Sequence, residues 1–129
     1  MRRRLRCVSM GFLAVIGCSD VTRVCTSVGC TSGVTVHLTV LPSQPFRVEV
    51  SAPGSDVLYV FDCTDNGSRC RQDILFPDLI ADHLLVTVHV GSASRATEIM
   101  QVTYTHSHPN GPSCPPDCQT ADVTAATPG

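Results

Sequence analysis

From residue 33 onward apolar residues recur at every second position, the period of a half-buried strand rather than of a helix. Val34, Val36, Leu38 and Val40 alternate with Thr35, His37 and Thr39. After Pro42 and Pro45, Phe46, Val48 and Val50 alternate with Arg47, Glu49 and Ser51, until Pro53-Gly54 turns the chain. Val57, Tyr59 and Phe61 come next, then Ile74 and Phe76 beyond a polar stretch. Leu84, Val86, Val88 and Val90 alternate with Thr87 and His89, and residues 96–104 alternate less cleanly. Short further strands fit residues 119–125 and 22–28. Seven or eight short antiparallel strands, with turn signals every eight to twelve residues or so, predict an all-β, immunoglobulin-like β-sandwich. Residues 77–83 leave room for one helical turn, and residues 126–129 read as a loose end.

One dipeptide makes a sharper local prediction. Asn66-Gly67 favours the type I′ turn, whose two central positions both need positive φ. The register of such a hairpin sets Cys63 opposite Cys70, Asp62 opposite Arg71, and Tyr59 opposite Ile74. Val57, Tyr59, Phe61, Ile74 and Phe76 then share a face. Cys63–Cys70 is therefore expected as a disulfide.

The first seventeen residues follow a different logic. Arg2, Arg3, Arg4 and Arg6 form a basic head, and residues 7–17 run apolar. That length suits the apolar region of a secretory signal peptide, helical before removal, and is too short to cross a bilayer. The segment closes on Val15-Ile16-Gly17-Cys18. This resembles the lipobox of bacterial lipoproteins, in which aliphatic and small residues precede a lipid-bearing cysteine. The resemblance implies cleavage by signal peptidase II before Cys18 and a diacylglycerol on its sulfur, joined in many bacteria by an amide-linked third chain; two or more acyl chains make a stable anchor. A plain secretory cut at the same bond is the competing reading, since Val15 and Gly17 also suit signal peptidase I. Cysteine parity favours the lipoprotein. With Cys7 removed and Cys18 lipidated, Cys25, Cys30, Cys63, Cys70, Cys114 and Cys118 remain to form three bridges. The organisation is then signal peptide over 1–17, lipidated tether over 18–24, β-sandwich over 25–125 and a loose end over 126–129.

The four cysteines outside the hairpin allow three pairings. Pro115-Pro116 prefers extended polyproline geometry and disfavours a local Cys114–Cys118 loop. Two bridges tying Cys25 and Cys30 to Cys114 and Cys118 are favoured, since a loop near ninety residues gains roughly 4–5 kcal/mol on the chain-entropy account.

Charge changes the picture once the signal is removed. Four of the nine basic residues leave with it, so five arginines face eleven acidic residues and the mature chain stands at −6. It contains no lysine. That balance lacks the basic footprint of a nucleic-acid binder and the polybasic patch of an anionic-lipid binder. No G-x-S-x-G, H-E-x-x-H, phosphate-loop or G-x-G-x-x-G motif occurs, so the sequence offers no catalytic residues and no cofactor.

Two stretches could hold a metal. Asp62, Thr64, Asn66 and Asp73, with Gly67 at the turn, resemble a degraded calcium loop, but strand patterns flank it and Asp73 is shorter than the usual Glu. His106-Ser107-His108 sets two imidazoles on one side of an extended segment, but without a nearby acid or thiolate pair they read as solvated loop residues, and no metal ligand is assigned. His37 and His89 sit on polar strand faces, and His83 precedes a strand. Tyr59, Phe61, Phe46 and Phe76 fall on core faces, which leaves few exposed aromatics for stacking on sugars. The expected protein is a membrane-anchored cell-envelope lipoprotein facing the periplasm or exterior. Its domain is a non-catalytic binding or structural module with an envelope protein or glycan as partner. The alternative is a metal-binding envelope protein, carrier or hydrolase, using the histidines or the acidic loop.

Overall fold

The computed structural model describes residues 25–64 and 70–129. The expected signal peptide, Cys18, the whole expected tether and the Asn66-Gly67 dipeptide lie outside the described residues. Eight strands and no helix make up the described chain: β1 (Gly33–Leu38), β2 (Phe46–Ser51), β3 (Leu58–Cys63), β4 (Asp73–Pro77), β5 (Leu84–Val90), β6 (Ala93–Ile99), β7 (Thr105–Ser107) and β8 (Cys118–Ala125). They form two four-stranded sheets, ordered β4-β1-β8-β7 and β3-β2-β5-β6.

The period-2 pattern is what makes this a sandwich. Alternate side chains along a strand point to opposite faces. Val34, Val36 and Leu38 of β1, Ile74 and Phe76 of β4, and Ala121, Val123 and Ala125 of β8 line the inner face of one sheet. Phe46, Val48 and Val50 of β2 and Leu84, Val86 and Val88 of β5 line the other, and all join one core. No buried polar or charged residue interrupts it among the described residues. Each of the larger aliphatic side chains contributes on the order of 1.5–3 kcal/mol by leaving water.

The pairing departs from expectation in two places. Strands β3 and β4 do not form a hairpin: β3 pairs with β2, β4 pairs with β1, and the two belong to opposite sheets. Cys63 and Cys70 nevertheless bond, with Cα atoms 5.3 Å apart. A short disulfide loop fits a chain that crosses between sheets as well as one that folds back within a sheet. Tyr59, Phe61, Ile74 and Phe76 still face one core, from opposite sides of it. Val57 lies outside the strand and is 53 % exposed. Not every pairing is antiparallel either, because β1 runs parallel to β8, Val36 beside Val123. The β1 strand accordingly neighbours β4 and β8 rather than β2.

Residues 25–32 form no strand, and residues 77–83 form no helical turn. Asp78 takes a left-handed conformation (φ 62°) that a right-handed helix does not admit. The strand expected over 96–104 starts earlier and stops at Ile99. The loop after β4 is held by Tyr104, whose hydroxyl accepts from the Ala81 amide at 2.8 Å and donates to the Ala81 carbonyl at 2.9 Å.

Two turns follow their residue chemistry. Pro53 and Gly54 occupy the centre of a turn closed by Ser55 N–H to Ala52 O at 3.1 Å, with Gly54 at φ 81° as a type II turn requires. The tight hairpin joins β5 to β6 through Gly91-Ser92, where Gly91 at φ 58° supplies the positive φ that a type II′ turn needs at its first central position.

The first and last described segments are fastened to each other. Disulfides join Cys25 to Cys114 and Cys30 to Cys118, with Cα separations of 5.6 and 6.1 Å. This is the long-loop pairing, although the Pro115–Pro116 bond is cis rather than extended polyproline. Asn110 adds a polar clamp. Its side-chain amide accepts from Val28 N–H at 3.0 Å and donates to Val28 O and Pro115 O at 2.8 Å each. The C-terminal residues are not loose. Thr127 donates from its amide to Thr39 Oγ1 (3.1 Å) and from its hydroxyl to Val40 O (2.7 Å). Among the described residues no helix is long and apolar enough to cross a membrane.

Candidate functional site

Ionisable side chains meet in three groups on the outward faces of the strands and the loops beside them. On the β4-β1-β8 sheet, His37 projects from β1 between Asp73 of β4 and Asp122 of β8. Its Nδ1 lies 2.5 Å from Asp73 Oδ1 and its Nε2 lies 2.8 Å from Asp122 Oδ1. Both ring nitrogens find acceptors as donors only in the doubly protonated imidazolium. The two carboxylates, Asp73 foremost, accordingly hold the His37 pKa above its ordinary value of 6.5, against a smaller opposing effect of desolvation. The ring thereby links an edge strand to two inner strands.

A folded-state pKa above the unfolded one stabilises the domain fully below the unfolded value and ceases to do so as pH rises through the folded one. His37 therefore adds its full stability below pH 6.5 and loses it as pH rises through the raised folded-state value. With the side chain 38 % exposed, solvent screening keeps that amplitude below about 1 kcal/mol. Denaturation of the wild type and of His37→Gln between pH 5.5 and 8.5 should give a stability gap that narrows as pH rises. A gap that widened or stayed constant would show that the bracket does not titrate in this sense.

On the opposite sheet, Arg47 of β2 reaches Asp62 of β3 through two bonds, Nε to Oδ1 at 2.6 Å and Nη2 to Oδ2 at 3.2 Å. Asp62 holds the Arg47 pKa above the ordinary arginine value, first by hydrogen bonding and then by charge. Glu49 sits 3.8 Å from Arg47 and accepts from the neighbouring His89 Nε2 at 3.2 Å. These four side chains line a shallow depression of about 480 Å³. Asp62 thus meets Arg47, not Arg71, because β2 rather than β4 lies beside β3. Asp62 and Asp73, which the calcium-loop resemblance would bring together, stand on different sheets with different cationic partners.

The third patch surrounds β7. His106 Nδ1 and His108 Nδ1 approach Oδ1 of Asp117 at 3.4 and 3.8 Å. The sequence set the two histidines side by side but supplied no acid, since Asp117 is eleven positions away from His106 and arrives only through the β7–β8 ladder. The acid partners of His37 and His89 are likewise distant along the chain. Cross-strand alignment joins His37 to residues 36 and 85 positions distant.

A second concave surface of about 600 Å³ lies where the 40–44 loop meets the β5–β6 turn and the C-terminus, lined by Val40, Leu41, Pro42 and Pro128 among others. The described residues thus present shallow clefts and open strand faces that mix paired polar side chains with exposed Leu58, Val60, Leu75 and Leu85. Three disulfides place the domain in an oxidising location outside the cytoplasm. No protein-family model, no curated protein and no solved structure matches the chain.

Proposed function

We propose that the protein is a cell-envelope lipoprotein anchored through a lipid on Cys18, whose sandwich acts as a non-catalytic binding or structural module facing the periplasm or exterior. The observation that carries this reading is the pair of bridges from Cys25 and Cys30 to Cys114 and Cys118. They begin seven residues after the cysteine of a lipobox-like segment and need an exported chain to form. The paired ionisable side chains support a module, because His37, Arg47 and His89 are engaged in cross-strand pairs on open faces. The partner is an envelope protein or glycan meeting one of these faces.

Mass spectrometry of the native protein extracted from membranes tests the anchor. The expected species begins at Cys18 and carries a diacylglyceryl group, and Cys18→Ala moves the protein to the soluble fraction. Full-length protein with Met1 and free thiols in the cytosol would overturn the reading.

A further inference from the structure

We propose that Asn110-Gly111 is a deamidation site gated by the Cys25–Cys114 bridge. With the bridge in place the asparagine is held intact, and without it the pair converts irreversibly. Asparagine is chemically labile because the backbone nitrogen of the next residue can attack its side-chain amide. Glycine, with no Cβ, obstructs that nitrogen least. The chain has two asparagines, and a glycine follows each. Asn66 lies outside the described residues, whereas Asn110 lies four positions before Cys114 and contacts the segment that follows Cys25.

The step is internal and consumes only water. Gly111 N attacks Asn110 Cγ and a C–N bond forms. The Gly111 proton passes through solvent to the departing side-chain nitrogen, which leaves as ammonia. Water then opens the cyclic imide at either carbonyl, giving aspartate or isoaspartate and one new negative charge.

Both reacting groups are engaged in the bridged domain. Gly111 N–H donates to His108 O at 3.0 Å. Asn110 Oδ1 accepts from Val28 N–H at 3.0 Å and from the Thr26 hydroxyl at 2.5 Å. Asn110 Nδ2 donates to Val28 O and to Pro115 O, at 2.8 Å each. Attack makes Cγ tetrahedral and swings Oδ1 and Nδ2 away from these four partners, so the clamp must release first.

Three of the four bonds come from Thr26 and Val28, in a stretch that forms no strand and is fastened at Cys25 and Cys30. A Cβ built on Gly111 would meet nothing within 4 Å, so hydrogen bonding rather than packing restrains that residue. Loss of the Cys25–Cys114 bridge frees residues 25–29 to lift away and leaves Pro115 O as the last partner of the amide. The product does not rebuild the clamp. A carboxylate has no N–H for Val28 O and Pro115 O and sets negative charge against both carbonyl oxygens. A chain that stays unbridged is thereby marked, and the mark persists after the cysteines join. This gate stands whether or not Cys18 carries lipid.

Tandem mass spectrometry of the oxidised protein held at pH 8 and 37 °C tests the gate, reading the mass gain at Asn110 and the isoaspartyl isomer. In the wild type Asn110 should persist. Cys25→Ser with Cys114→Ser should speed its loss about tenfold or more, because local opening then frees residues 26–28. Cys30→Ser with Cys118→Ser leaves the gate fastened and should stay within about twofold of the wild type. The two bridges close nearly equal loops, so a difference between the variants reads local release and not global unfolding. Thr26→Val with Val28→Pro, all bridges intact, removes both donors to Oδ1 and should also speed the loss. Wild-type loss as fast as in the Cys25 and Cys114 variant, equal acceleration by either bridge removal, or no mass gain at Asn110 in any variant would each overturn the proposal.

Discussion

Replacing Cys30 and Cys118 with serine lowers the unfolding free energy by about 2–3 kcal/mol, and replacing Cys25 and Cys114 as well brings the loss to about 6–7 kcal/mol. Each bridge spans nearly the same loop, with sequence separations of 89 and 88. While either is intact the ends of the chain stay together, and the other closes a ring of only about ten residues, whose entropy is modest. Only when both are gone does the denatured chain regain the freedom of the long loop. The second loss is therefore larger than the first, in whichever order the bridges are removed. Urea denaturation of the two paired variants and the quadruple variant measures this. Equal, additive losses would mean that the bridges act through the folded state rather than through the denatured ensemble. A domain of this size holds only about 5–15 kcal/mol in total, so the quadruple variant should be mostly unfolded at 37 °C.

Gly33→Ala should cost about 2–4 kcal/mol, well beyond the cost of the same change at Gly54. Gly33 begins β1 at φ 152°, and a Cβ there would run into the Phe76 carbonyl oxygen and the Pro77 Cα of β4. Those are backbone atoms of a paired strand, so relief requires moving β4 off β1 at the Gly33–Pro77 end of their ladder. Gly54 also has positive φ, but a Cβ there meets open space. Its substitution costs only the backbone strain of a turn, about 1 kcal/mol. Thermal melts of both variants decide the point, and near-equal losses would show that β4 yields freely. Such yielding would also weaken the account of His37, which relies on β4 being held against β1.

How far the sequence led can be judged from the cysteines and from the Asn-Gly signal. Loop-closure entropy and a diproline favoured the long-range bridges, and these are the ones formed. Cys63 and Cys70 bond as well, while the hairpin reasoning that brought them together does not hold for the strands beyond. That reasoning treated two neighbouring strands in isolation, where each is the other's only possible partner. In the sandwich β3 has β2 and β4 has β1, and each pairing buries the same apolar face while also completing a four-stranded sheet. The tight hairpin sits instead at Gly91-Ser92, a weaker local signal between two runs of residues that strongly favour strands. The polar clusters were less legible still. His37, Arg47, His89, His106 and His108 are each visible as outward-facing, but apart from Glu49, two positions from Arg47 on β2, none of their carboxylate partners lies within the local window of a strand pattern.

The order of residues alone determined that the described domain is all-β, which side of most strands faces the core, and where the chain turns at Pro53-Gly54. These properties depend on side-chain period and on backbone preference, both local quantities that a strand carries wherever it is placed. Tertiary structure alone decided that β1 runs parallel to β8, that β3 and β4 part to opposite sheets, and that Asp117 meets two histidines. Alternation states which face is apolar but not which neighbour will cover it. The choice among neighbours is made by all strands at once, by burying the most apolar surface with every inner backbone group paired.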